Sequence, residues 1–283
     1  MDRNAFSDRM NVLRPAGRRA ARATTVTSAW LGNRLQDLAM WLVNLLRELP
    51  PRVGRLAIAL WRGLRGLILA LPRAYRAATD RSGLGLAAWL RRVPRDVGIW
   101  LIVLLFRVFD LFGVPELWSF VLQMVCHVTP LTGPEIGAAA GILGPTAIRY
   151  ADVRIAEGGA LNLIFARNGG RAFMTFHTVN LPRTGPHCRA NFEILLHELV
   201  HVYQYERTGG LYVAEAIYAQ HTTGYSYGTP DDLVQCLATG FCYRNFNREQ
   251  QAQLVQDYYE RCVEEHPVAA FEPFIWDMQA GKL

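Results

Sequence analysis

The stretch "FEILLHELVHVYQY", Phe192 to Tyr205, constrains the fold of this chain more than any other. Residues four apart on a helix lie on one face, about one turn up, so His197 and His201 present their imidazoles to a common point. Glu198 stands beside them and is the only charged residue between Leu195 and Tyr203. Phe192, Leu195, Leu196, Leu199 and Tyr203 form a continuous apolar face, which predicts a core helix whose histidine side lines a cleft. Burying two imidazoles and a carboxylate costs several kcal/mol unless something satisfies them. A divalent metal ion would do so, with His197 and His201 as ligands; the plainer alternative is a core helix whose histidines are only hydrogen-bonded. The pattern is H-E-x-x-H, in which the glutamate is a general base and not a ligand. The cation acidifies a water molecule toward neutrality, and the carboxylate takes its proton as the oxygen attacks a carbonyl.

Such a site needs a third protein ligand and an open fourth position. Glu249, in "REQQAQLVQD", sits in the first turn of a later helix, a place that also suits a carboxylate electrostatically. Glu215, in "YVAEAIYAQ", lies on a helix that turns back at Gly209-Gly210, and equal spacing from that turn brings 215 or 216 opposite 201. Of the two, Glu215 has the better local geometry, and spacing leaves the choice between Glu249 and Glu215 open, with His221 and Asp231 behind them. Tyr225 and Tyr227 are candidates to donate to a developing oxyanion, against the plainer role of packing on the core. His127, His177, His187 and His266 match no metal spacing.

The rest of the chain sets the context. Residues 1–95 carry 18 arginines against five acids, a net of +13, whereas residues 96–283 carry 12 basic residues against 19 acids, a net of −7. The split predicts a basic region attached to a separate body. The five cysteines include no C-x-x-C pair, so neither a disulfide framework nor a cysteine zinc knuckle is indicated. The first thirty residues lack an apolar core, so no signal peptide is expected and the expected location is cytoplasmic, with peripheral membrane association.

Three parts follow from the patterning: a disordered basic tail over 1–28, an arginine-rich amphipathic helical region over 29–127, and a catalytic domain over 128–283. Within the second part, leucines recur at helical spacing from Leu31 to Leu46 until Pro50-Pro51. "GRLAIALWRGLRGLILALP" and "LGLAAWLRRVP" are further amphipathic segments. Six of the seven tryptophans fall between Trp30 and Trp118. The Leu/Trp faces with arginine flanks suit either a helical bundle or an anionic membrane surface, here through residues 29–125. Nucleic-acid binding is not favoured, because the arginines are interleaved with Leu and Trp. Val97 to Phe106 is uninterrupted and apolar but spans only about 15 Å of helix against a hydrocarbon core of about 30 Å. Arg107, Asp110 and Pro115 then interrupt it, so no clean membrane span over 97–125 is expected.

In the last part the patterning predicts a helix over Pro134–Leu143 and a strand around Val153–Ala156. "LNLIFARNGGRAFMTFHTV" reads as a β-hairpin turning at Asn168-Gly169. Short helices follow over Tyr212–Gln220 and Asp231–Ala238, then a longer one in which Asn247 and Gln250 make a capping box.

"HELVHVYQY", after a hairpin and before a glutamate helix, resembles the zincin metallopeptidases of the glutamate-ligand type. "LTGPEIGAAAGILGPTAIRYADVRI", "HELVHVYQY" and "FNREQQAQLVQDYY" together resemble a group of bacterial zincin-like proteins labelled Vgr-related, or as core domains near contractile injection systems. The likeness covers roughly residues 129–262. It implies an α+β fold with a small antiparallel sheet, the H-E-x-x-H helix and a glutamate helix, preceded by an all-α amphipathic region. It also implies a zinc-dependent peptidase acting on a peptide or protein, with Zn2+ held by His197, His201 and Glu249, whose E-x-x-A pattern matches the zincin glutamate helix. "GTPD" at Gly228–Asp231 is similar to the aspartate-ligand variant but lacks its Tyr-Gly. In zincins an edge strand pairs with the substrate, here Arg171–Val179. The alternative is a zincin-shaped binding or assembly protein of a bacterial secretion or injection system, without peptidase activity.

Overall fold

Eleven consecutive residues of one helix, Leu195–Tyr205, are buried on every side, and the fold is organised around them. The structure, a computed structural model, describes residues 3–79 and 84–283. The chain divides into two compact units, 1–47 and 48–283. In chain order the elements are α1 (Arg3–Thr79), α2 (Leu84–Leu111), α3 (Val114–Val125), β1 (His127–Pro130), α4 (Gly133–Leu143), β2 (Arg154–Glu157), α5 (Asn162–Asn168), β3 (Phe173–Thr175), β4 (Thr178–Leu181), α6 (Phe192–Thr208), α7 (Leu211–His221), α8 (Pro230–Ala238), α9 (Arg248–Val263) and α10 (Glu272–Gln279). The class is α+β, mainly helical with one small sheet.

The strand order is β1-β2-β4-β3. β1 and β3 run antiparallel to their neighbours, but β2 and β4 pair in parallel, so the sheet is mixed and not the antiparallel one expected. The cause is α5, which carries the chain from β2 across the sheet so that β4 returns in the same direction. Successive residues of a strand face opposite sides. Ile155 accordingly joins the large core with α4, α6, α9 and α10, while Ala156 packs with Leu161 and Phe165 on the far side. All four residues of β4 are buried.

The hairpin expected at Asn168-Gly169 lies elsewhere. Leu161 and Phe165 are buried while Leu163 and Ile164 are exposed, a period of four that makes this run the helix α5. Gly169, at φ 75°, ends it, and the Gly170 N–H bonds back to the Phe165 carbonyl. The true turn is Phe176-His177 between β3 and β4, with Phe176 at φ 64°.

The N-terminal expectations also change. From Arg3 onward the expected tail of 1–28 is part of α1, a run rich in Arg and Ala, both strong helix formers. α1 continues through Pro50-Pro51, forgoing two amide donors. The expected domain start at 128 falls inside β1, and residues from Glu48 on belong to the same compact unit as the sheet. A buried set of charges accounts for this. Arg52 of α1 donates to the Asp110 carbonyl and to Glu116, and Glu116 accepts from Tyr205 of α6 at 2.7 Å. Arg107 donates to the Thr208 carbonyl, and Asp110 accepts the Gly210 N–H at 2.7 Å. α1 and α2 run antiparallel, with the Trp100 indole laid over Gly63 and donating to the Ala59 carbonyl at 2.9 Å.

Gly209 closes α6 at φ 72°, and a Cβ there would fall 2.1 Å from the Asp110 carboxylate. No single helix among the described residues is long and apolar enough to cross a membrane; one pair, Ala87–Leu111 with Val114–Leu122, meets the length and composition jointly but is bent by 65°. Burial raises the Asp110 pKa, opposed by the Gly210 N–H and Arg107. Asp110→Ala strands that N–H and the Arg107 guanidinium, and a loss of about 3 kcal/mol in unfolding free energy is expected from denaturant titration.

Candidate metal centre

α6 and α9 pack along their lengths, which sets a first-turn residue of α9 against the middle of α6. The Gln250 N–H donates to Asn247 Oδ1 at 2.8 Å and the Asn247 N–H to Gln250 Oε1 at 3.1 Å, the expected capping box. This fixes the first turn of α9 and aims Glu249, only 1% exposed, at the histidines. Its Oε2 lies 3.5 Å from His197 Nε2 and 3.6 Å from His201 Nε2. Tetrahedral ligands with bonds of about 2.0–2.1 Å stand about 3.3 Å apart, so the three atoms are spaced for one cation. Among the described residues they are the one group of three or more His, Cys, Asp or Glu converging in this way.

Three buried atoms here have no hydrogen-bond partner: His197 Nδ1, Glu198 Oε2 and Glu249 Oε2. Unpaired carboxylate oxygens in an interior are costly, and a cation between Glu249 and the imidazoles removes that cost for Glu249. Its other oxygen, Oε1, accepts from Gln220 of α7 at 2.9 Å, which leaves Oε2 for the centre. Glu198 is not part of the ligand set. Burial pushes its pKa up, only partly countered by His201 and His197, and a carboxylate so placed takes a proton more readily near neutrality.

Sequence reasoning missed the amides that hold these rings. His201 Nδ1 lies 2.8 Å from Gln204 Oε1. The Gln204 amide nitrogen donates to the Arg248 carbonyl at 2.9 Å and to Gln251 Oε1 at 3.0 Å. Gln251 in turn donates to the Tyr243 and Phe246 carbonyls, at 3.2 and 3.1 Å. Carbonyls accept only, so each amide has one allowed orientation and Gln204 receives the Nδ1 proton, leaving Nε2 to face Glu249. The available signal was position: Gln204 follows His201 by three residues and shares its face.

Glu215 takes no part. It is 40% exposed in its side chain and binds Arg248 Nε at 2.6 Å. The buried side of α7 is Tyr212, Ala216 and Ala219, and the Tyr212 ring, 6.2 Å from that of His201, fills the place assigned to residue 215 or 216. His221 and Asp231 are exposed, and "GTPD" begins α8, where Thr229 and Asp232 form a capping box. His177 pairs with Glu206 at 2.8 Å, and the five cysteines are free thiols. The two tyrosines separate. Tyr227 donates to Asp257 and packs against Phe246 and Phe271. Tyr225 stands at the centre, its ring 6.0 Å from that of His197. Its hydroxyl pKa is pushed up to about 12 by burial and by Glu249, so it stays protonated.

Of the span Arg171–Val179, expected to offer a substrate-pairing edge, only Phe173–Thr175 forms the edge strand β3. The Met174 carbonyl already accepts from Tyr212 at 3.1 Å and the Thr175 carbonyl from Ser119 of α3 at 2.9 Å. Comparison of the chain with protein families, with curated proteins and with solved structures finds no match.

Two outcomes follow from this geometry. Burial pulls the His201 pKa down, but Glu249 outweighs it and holds the imidazole protonated up to about 9, from an ordinary 6.5. This pair stabilises the metal-free fold fully below about 6.5, and that contribution is lost as pH rises through about 9. A metal must displace the same proton, so calorimetric affinity is expected to climb across this window while the metal-free melting temperature falls. In metal titrations at fixed pH, Gln204→Leu is expected to weaken binding by about 10–100-fold. Glu249→Gln should weaken it further, and Glu215→Gln should leave it unchanged.

Proposed function

We propose that this chain is a zinc-dependent metallopeptidase of the zincin type, with His197, His201 and Glu249 as the metal ligands. The observation that carries the reading is the convergence of two imidazole nitrogens and the Glu249 oxygen beside the buried, unpaired Glu198. Two imidazoles and one carboxylate form a donor set that suits zinc and leaves a position open. The likeness of "HELVHVYQY" and the downstream glutamate helix to the glutamate-ligand zincins supports peptides as the substrate class.

Zinc held by His197, His201 and Glu249 would supply Lewis acidity toward a carbonyl and an attacking water. Glu198 accepts the proton of that water through Oε2 and delivers it to the leaving amine. Tyr225, protonated at neutral pH, donates to the carbonyl oxygen as negative charge builds there. Gln204 holds the His201 ring, and Gln220 holds Glu249, so neither ligand has to reorganise during the reaction. With the Met174 and Thr175 carbonyls of β3 engaged by Tyr212 and Ser119, the substrate backbone is held by groups other than these two. A pure binding or assembly role gives Glu198 nothing to do, and the unpaired state of its oxygen supports chemistry over scaffolding.

Zinc content and peptide hydrolysis in three proteins test this. Wild type is expected to bind one zinc and cleave a mixed peptide library. His201→Ala should lose both properties, whereas Glu198→Gln should keep the metal and lose cleavage by roughly 1,000-fold or more. Unchanged zinc in His201→Ala would refute the ligand set; full hydrolysis by Glu198→Gln would refute the base.

A further inference from the structure

Val97 to Met124 contains three charged residues, Arg107, Asp110 and Glu116. In the sequence Arg107 and Asp110 argue against a clean membrane span. All three turn inward: Arg107 and Glu116 are 12% exposed in their side chains and Asp110 3%, each engaged in the buried network with Arg52, Thr208, Gly210 and Tyr205. What remains outside is uncharged. Leu105 and Phe109 on α2, with Phe112 just beyond its end, are followed across the bend at Gly113 by Leu117, Trp118 and Val121 on α3, all exposed, with Phe112 at 68% and Trp118 at 54%.

A second feature says what covers this face. Trp100 meets Ala59, and the two helices are antiparallel, so Arg62 and Arg65 of α1 come level with the stretch that follows Arg91, Arg92 and Arg95 of α2. All five guanidinium side chains are exposed, and Asp96 is the only exposed acid among the described residues of 53–124. Trp61, beside Arg62 on α1, is 61% exposed. An exposed apolar stripe that includes Trp118, on a helix pair whose other end carries exposed arginines, complements a surface that is anionic outside and hydrocarbon beneath.

We infer that the outer face of α2 and α3 is a docking surface for an anionic lipid bilayer. The apolar stripe enters the acyl region and the arginines of α1 and α2 contact headgroup phosphates. The chain lies on the membrane without a spanning helix, held there by the apolar face while the guanidinium groups select negative charge. The inference is independent of the metal centre, and circular dichroism with the melting temperature serves as the test of fold in every variant.

The experiment is co-sedimentation of the full chain with phosphatidylcholine vesicles, with and without phosphatidylserine. Strong binding is expected only with phosphatidylserine, weakened but not abolished by salt. Phe112→Glu and Trp118→Glu are expected to keep the wild-type circular dichroism and melting temperature and to reduce partition by roughly tenfold each. Replacing Arg91, Arg92 and Arg95 by glutamine should remove most of the preference for phosphatidylserine. With wild type alone, brominated acyl chains should quench tryptophan fluorescence. A chain that stays in the supernatant, that shows no quenching, or whose folded glutamate variants sediment like wild type overturns the inference. So does a stable dimer that ignores vesicles and dissociates on Trp118→Glu, because the face then belongs to a second copy.

Discussion

The carboxylate of Glu249 facing two imidazoles in a closed interior is the constraint on which the rest depends. Nothing about a helix-in-core requires a His-Glu-x-x-His sequence, and each of these groups is expensive there without a partner. The surrounding structure is arranged so that each has one, or awaits one. The capping box at Asn247 sets the height of Glu249, Gln220 occupies its spare oxygen, and the Gln204–Gln251 pair ties the histidine helix to the backbone of residues 243–246. The polar groups are thereby fixed in direction before any ligand arrives, which is the condition for a site that reorganises little.

A separate set of buried charges performs a different task at the other end of α6. Arg52, Arg107, Asp110 and Glu116 come from three helices that look, on hydropathy, like a free-standing amphipathic arm. Their partners are Tyr205, the Thr208 carbonyl and the Gly210 amide, all on or just beyond the histidine helix. Burial raises the pKa of Asp110 and of Tyr205, the latter well above the ordinary range, with Glu116 adding to it. Charged groups so enclosed define one docked position and penalise all others.

The sequence made the centre legible because its chemistry is local. His197, Glu198 and His201 sit within one and a half turns, and Glu249 is fixed by a capping box readable three residues apart. The same holds for α4 and β2, whose patterns match their neighbours. Legibility failed where tertiary contacts decide. Leu161 and Phe165 form a helical pair only because the sheet offers a second face to cover, and without that knowledge Asn168-Gly169 reads as a hairpin turn. Glu215 was plausible from spacing alone, but Tyr212 fills the space beside His201 and Arg248 draws Glu215 aside. The inward turn of Arg107 and Asp110 was likewise invisible, since hydropathy counts charges without direction.

The bond from Asp110 to the Gly210 amide has a mechanical corollary. It pins the foot of α7, and ten residues later, about 15 Å along the axis, Gln220 meets Glu249. The strut between them is a single uninterrupted helix whose first turn also presses Tyr212 against His201. Lateral slippage of α2 therefore cannot be absorbed before it reaches the ligands. Either the amide leaves its carboxylate, or the far end moves with the near one.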